Sequence, residues 1–383
     1  MSVQHDVMRT LAEARPARLD PGHDARRVDP SDIMSHSRAA VAGGAHRRTR
    51  RWALAVGVPA VAAAAVFVGV GGFDEASRTA SREEGTHADG RTGTTNTDRP
   101  PTSSRELFLA AADRNLAAAA TGGRYWALKA EHGEARTKGP ANRPYDIMIR
   151  RYTEEWQPVR AGDATVVAGQ YLGAAPITDA DKAAWQADGA PTRWTESAPG
   201  MDPVVIDAAA EPKYARPIQD ATREATYPLG GATVTVAQLA ALPTDPAALK
   251  TALLALFRQQ GVTEPDDYAL FWTGAHLVSD LPVPTQLRAA SYRMLADVTG
   301  VTLLGPATDQ HGRAGVAVGY TRTGDEGRRS QTRLIIDPKT GQALAQESWD
   351  VAAQKLTGYT LILTAIFTDE TPPTDLPTRP ARQ

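Results

Sequence analysis

Residues Trp52 to Phe73 form a 22-residue run without a charged side chain, with Arg47, Arg48, Arg50 and Arg51 before it and Asp74 and Glu75 after it. At 1.5 Å per residue a helix of that length reaches about 33 Å, enough for the roughly 30 Å hydrocarbon core of a bilayer. The run is expected to be a single transmembrane helix, in which Pro59 is tolerated as a bend. The arginines put the N-terminus in the cytoplasm and everything after Phe73 on the outer side of the cell membrane. A cleaved secretory signal fits less well. The head before the run is 51 residues long, the apolar stretch exceeds the usual range of roughly 7–15 residues, and Val70-Gly71-Gly72-Phe73 offers no small-x-small exit.

This one feature divides the chain into a tail (1–51), a span (52–73), a linker (74–104), an outer domain (105–368) and a C-terminal tail (369–383). The first tail holds ten arginines and no lysine against five aspartates and one glutamate, a net +4. It is expected to be largely disordered, with its arginines near anionic headgroups and with weak helices after Asp6 and Ser31 that can fold onto a cytoplasmic partner. The linker, rich in Thr, Gly, Ser and charge, behaves as a flexible tether holding the outer domain on the order of 30 Å from the bilayer. The Pro- and Thr-rich stretch from Asp369 is read as disordered as well. The chain contains no cysteine, which excludes disulfides, a thiolate nucleophile, cysteine-ligated zinc and a lipidated cysteine anchor. A formal net charge of −2 argues against general nucleic-acid binding.

The outer domain begins with a predicted helix from Arg105 to about Ala120, capped by Ser103 or Ser104, with Leu107, Ala111 and Leu116 expected on its buried face. Alternating segments at 124–130, 145–156 and 165–172 read as antiparallel strands, and 180–187 as a short helix. The stretch 191–231 shows no readable period and is the expected place of an internal boundary. Asp245-Pro246 opens a helix with Leu249, Leu253, Leu254 and Phe257 on one face, ended by Gly261, and two more helices follow at 265–276 and 284–298. Period-two segments at 301–304, 315–321, 332–336, 343–349 and 360–367 then form a five-strand meander, with Asp337 to Gly341 as a hairpin turn. Strands, then helices, then strands, without βαβ alternation, predict an α+β fold: a large antiparallel sheet covered by helices.

No Gly-x-Ser-x-Gly elbow, His-Glu-x-x-His pair or phosphate-binding glycine loop occurs, so neither an enzyme nor a metal or cofactor site is expected. His276 and Asp280, at i, i+4 spacing, read as a surface pair, and His311 as a solvated turn residue. The aromatics are the more informative residues. Trp126, Tyr152 and Trp156 fall on predicted strands and are the candidate contacts for an apolar ligand or partner segment on a concave sheet face; core packing is the alternative. Phe271 and Trp272 are adjacent on a helix and cannot both face inward, which marks one for a contact surface.

Two stretches, Gly305 to Val318 and Arg333 to Gln342, together with Gly123-Arg124-Tyr125-Trp126 and Thr153-Glu154-Glu155-Trp156, resemble a family of uncharacterised actinobacterial single-pass membrane proteins. The layout of basic tail, Ala-rich span and outer domain is similar too. Members are often encoded beside extracytoplasmic-function sigma factors. The resemblance therefore implies a sensory or regulatory protein whose residues 1–51 engage a sigma factor or similar regulator. The strand-rich end is distantly similar to the half-barrels of lipoprotein carriers and sigma-factor regulators, which implies instead a lipid- or lipoprotein-binding module of the cell envelope. A zinc-type anti-sigma domain is not implied, because the tail has no cysteine. The orientation carries the first prediction: a reporter active only in the cytoplasm, fused after Gln383, stays silent, and activity there would reverse the topology.

Overall fold

The computed structural model describes residues 100–118, 122–160, 163–197, 202–216, 225–324, 327–373 and 375–377. The expected span at 52–73, the tail before it and most of the linker lie outside the described residues. Among those described, no helix is long and apolar enough to cross a membrane.

The described chain is α+β. Helix α1 (Ser104–Ala117) leads into three long strands, β1 (Tyr125–Lys138), β2 (Tyr145–Pro158) and β3 (Val166–Pro176). Helix α2 (Asp179–Ala187), the hairpin β4 (Arg193–Glu196) and β5 (Val204–Asp207), strand β6 (Tyr214–Arg216) and the hairpin β7 (Thr226–Leu229) and β8 (Ala232–Thr235) follow. Four helices come next: α3 (Val236–Ala240), α4 (Pro246–Gln260), α5 (Asp266–Ser279) and α6 (Thr285–Ala296). The chain closes with the meander β9 (Val301–Thr308), β10 (Ala314–Thr323), β11 (Arg329–Ile336), β12 (Ala343–Asp350) and β13 (Lys355–Thr368). The large sheet has nine strands in the order β6-β3-β2-β1-β13-β12-β11-β10-β9, and every pairing in it is antiparallel.

Local chemistry sets the element ends. Asp245 accepts the Ala248 N–H at the start of α4, Pro246 fills its first turn, and Gly261 at φ 67° ends it. Thr178 and Asp181 cap α2 reciprocally, a capping box. The Asp337–Gly341 turn closes with the Gly341 N–H donating to Asp337 O. Gly341 has φ 73°, and a Cβ there would stand 2.8 Å from Ala111 O, so only glycine lets this turn sit against α1.

The main core lies between the helices and one face of β10–β12. Leu107 and Phe108 of α1, Leu253 and Phe257 of α4, Leu270 and Phe271 of α5 and Leu287 and Tyr292 of α6 pack with Val318, Leu334 and Ile336 of the sheet. On the opposite face Met148, Ala317, Ile335, Ala345, Leu356 and Leu361 form a second cluster. The tip of the β9–β10 hairpin folds over this face: Arg313 donates to Ile362 O at 2.8 Å and to Leu344 O at 2.9 Å.

Several expectations differ from what is seen. Leu116 is 43% exposed, because it stands nine residues, and so half a helical turn, from Leu107; Phe108 and Ala112 complete the buried face instead. Among its described residues the stretch 191–231 holds the short strands β4 to β7, for which no period was read, and β6 extends the same sheet. The C-terminal stretch is placed as far as Pro377, with Pro372 buried and Pro377 O accepting the Ala215 N–H at 2.8 Å. Residues 100–377 are therefore expected to fold without the preceding chain. That fragment should melt in one cooperative transition that a chelator does not shift, since no group of three or more metal-ligating side chains occurs among the described residues. A chelator-sensitive or multistep melt contradicts this.

Candidate functional site

Alternation along β1 sends Trp126 and Leu128 to the helix face and Tyr125 and Ala127 to the other. In the β1–β2 register Leu128 lies opposite Glu155, which places that carboxylate on the helix face too. Across from it, α5 presents Tyr268, Trp272, His276 and Asp280 at spacings of four, one stripe along the helix. The β7–β8 hairpin closes a third side with Tyr227 and the turn Gly230-Gly231, whose φ values are 53° and 85°. A Cβ at Gly230 would come within 2.5 Å of the Phe257 ring, so this turn seats on the end of α4 only as glycine. Together these elements enclose a cavity of about 140 Å³. That is the scale of an engineered cavity that holds a benzene molecule.

One wall is polar and firmly held. His276 Nδ1 lies 3.0 and 3.2 Å from the two carboxylate oxygens of Asp280. Ser279 Oγ donates to Asp280 at 3.1 Å and accepts from Gln346 Nε2 at 2.6 Å, which ties the pair to β12. Asp280 is buried, so the pair read from the sequence as a surface feature belongs to the cavity wall. Trp272 meets the His276 ring edge-on at 4.9 Å. Behind the cavity Arg288 lies over the Trp126 ring at 5.6 Å and donates to Val278 O and Leu281 O at the end of α5, where a cation offsets the helix dipole. Arg322 lies over the Tyr268 ring at 4.9 Å and pairs with Glu264 at 2.5 Å.

Buried polar atoms are nearly always hydrogen-bonded, so exceptions are informative. Trp126 Nε1, Tyr227 Oη and Gln157 Oε1 are buried without a hydrogen-bond partner among the described residues. Trp126 and Tyr227 line the cavity; Gln157 stands opposite Trp126 in the β1–β2 register and donates its amide to Glu155 at 3.0 Å. Burial, and then the charge of Glu155, push the Tyr227 phenol well above its ordinary value, so it keeps its proton.

The three aromatics singled out from the sequence do not share a face. Trp126 is in the cavity wall, whereas Trp156 pairs with Ala127 and so lies, with Tyr152, on the opposite side of the sheet. There the buried carboxylate of Glu154 accepts from Trp156 Nε1 at 3.0 Å and Tyr152 Oη at 3.1 Å, pairs with Lys129 at 3.2 Å, and also binds Lys213. Lys129 and Lys213 lie over the Trp156 and Tyr152 rings at 5.5 and 5.4 Å. On the same face His311 is not solvated as a lone group: its Nε2 is 2.8 Å from Glu131, which also accepts from Tyr359 at 2.6 Å. Residues 227–233 and His276 were not singled out as a site. The signals present in the chain were the Gly-Gly turn between two short alternating runs and the Phe271-Trp272 pair: Phe271 is fully buried and Trp272 lines the cavity.

No protein-family model, curated protein or solved structure matches the chain.

The Glu154 cluster predicts a pH dependence. Burial pushes its carboxyl up, but hydrogen bonds from Lys213, Trp156 and Lys129 together outweigh burial and hold it at about 2, below its ordinary 4.5. A carboxyl depressed in the folded state contributes stability that is complete above about pH 4.5 and is lost as pH falls toward 2. The melting temperature should be level from pH 7 to 5 and fall below 4.5. Glu154→Gln should cost about 1–3 kcal/mol at pH 7, the two lysines being partly screened by solvent, and flatten the acid slope. An unchanged slope in the variant would assign the acid sensitivity to other carboxylates.

Proposed function

We propose that this chain is a membrane-anchored sensory protein whose folded domain, held outside the cell membrane by the 52–73 span, binds a small, largely apolar ligand. In this reading residues 1–51 pass the bound state to a cytoplasmic sigma factor or similar regulator. The observation that carries the proposal is the cavity between α5, the β7–β8 hairpin and the start of β1, with aromatic walls and a few fixed polar groups. A site of benzene scale favours a small ligand over the lipid or lipoprotein of an envelope carrier, whose acyl chains need a longer groove. The long uncharged run and its flanking arginines supply the membrane part of the proposal.

Benzyl alcohol, neutral and ring-sized, tests the binding step. Titrated into the full chain, it should change the tryptophan fluorescence saturably and raise the melting temperature, because a ligand that binds only the folded state stabilises it. Trp272→Ala truncates a half-buried side chain of the cavity wall and should weaken binding about tenfold, a loss of about 1.4 kcal/mol. Absence of saturable binding by any ring-sized probe removes the ligand-binding reading.

A further inference from the structure

The cavity wall is asymmetric in charge. Glu155, Glu264 and Asp280 line it, and among the described residues no lysine or arginine does. Two of these acids have a basic side chain beside them: Arg322 pairs with Glu264, and His276 Nδ1 lies against Asp280. Glu155 has none among the described residues. Its hydrogen bond is to the neutral amide of Gln157, and no lysine, arginine or histidine among the described residues pairs with it. A half-buried carboxylate at an apolar cavity, facing no cation among the described residues, raises the affinity of that cavity for positive charge and lowers it for negative charge.

We propose that the cavity selects a small organic ammonium, with an apolar body about the size of a benzene ring, and that Glu155 is its counter-ion. This rests on the ligand-binding reading above and narrows it to one chemical class. Aromatic walls suit such a ligand, because the negative ring faces of tryptophan and tyrosine attract cations. The protein already uses that attraction from behind the wall, where Arg288 and Arg322 lie over Trp126 and Tyr268. Trp272, Tyr227 and Phe257 are cavity rings over which no cation lies among the described residues.

Two of the orphaned atoms point the same way, while Trp126 Nε1, a donor, calls for an acceptor. Tyr227 Oη and Gln157 Oε1, buried without partners among the described residues, both have lone pairs to offer, and Gln157 is bonded to Glu155 itself. An ammonium N–H satisfies lone pairs of this kind. A neutral ring fills the volume and leaves the lone pairs as they are. An anion adds repulsion from Glu155.

Three probes of matched size separate the cases: benzylammonium, benzyl alcohol and benzoate, each titrated into the full chain and followed by tryptophan fluorescence. The proposal expects benzylammonium to bind at least about tenfold more tightly than benzyl alcohol, and benzoate at least about tenfold more weakly. Glu155→Gln, close in shape, should bring the ratio of benzylammonium to benzyl alcohol affinity near one. Tyr227→Phe removes a buried unpartnered hydroxyl. It should raise the melting temperature of the ligand-free protein while weakening benzylammonium, a pairing that a merely structural tyrosine does not produce. If benzyl alcohol and benzylammonium bind alike to the wild type, or Glu155→Gln keeps the wild-type ratio, the cation proposal is overturned and the ligand-binding reading stands. If none of the three binds, both fall.

Discussion

The pairing of β1 with β13 is the constraint on which the rest of the sheet depends. Without it there are two separate sets of strands, β6-β3-β2-β1 from the front of the domain and the meander from the back. With it they form one nine-stranded surface. The contact joins distant parts of the chain: Tyr359 donates to Glu131 from 228 positions away. Closing so long a loop is not ruinous, since each doubling of loop length adds only about 0.6 kcal/mol. It does have to precede the contacts that reward it, which makes this fold one of high contact order and slow assembly. Gly133 is part of how the seam closes. A Cβ there would lie 2.1 Å from the Tyr359 ring, so glycine lets that ring cross β1 and reach Glu131.

The seam also positions the site. Trp126 and Leu128 lie on the strand that joins the two halves, next to Ile362 and Phe367 of β13, so the cavity floor is laid down where front and back meet. The helices that roof it belong to the segment between the two halves, and their own core is anchored on β10–β12. A change in the β1–β13 register would therefore alter the cavity while leaving the meander core in place. The bulge at Lys129 and Ala130, just beyond Leu128, is the point where that register shifts.

Much of the fold was legible where a pattern was long or a cap was explicit. The proline-started, glycine-ended helix α4, the order of three late helices before a five-strand meander, and the strands of β1 to β3 could all be read locally, whereas the five-residue α3 was not. What escaped was of two kinds. The strands between 193 and 229 have only three or four residues each, too short for a period to emerge. The other loss was register. Alternation shows that Trp126 and Ala127 face opposite ways, and that Trp156 and Glu155 do, but not which member of one pair shares a side with which member of the other. Pairing Ala127 with Trp156 settles that, and a slip of one residue would have put both tryptophans together. The cavity was illegible for a related reason: its walls come from β1, β2, the β7–β8 hairpin and α5, which only the folded chain brings together.

The two faces of the sheet handle buried polar groups in opposite ways, and the contrast bears on function. On the face away from the helices, Glu154 has four partners, Glu131 is held by His311 and Tyr359, and Asp309 is bound by Arg313. Such satisfied clusters fix a unique packing and have nothing left to offer a ligand. On the helix face, in and beside the cavity wall, Trp126 Nε1, Tyr227 Oη and Gln157 Oε1 are buried without partners among the described residues, and none of those residues brings a cation to Glu155. Each of the three unpartnered buried atoms makes the protein less stable by roughly 1–3 kcal/mol than a paired or apolar equivalent would. A fold that satisfies its buried charges so completely on one face had the means to do so on the other. The unpaired groups collect around the cavity, and that is why the tryptophan facing the helices, and not its neighbour across the strand, marks the candidate site.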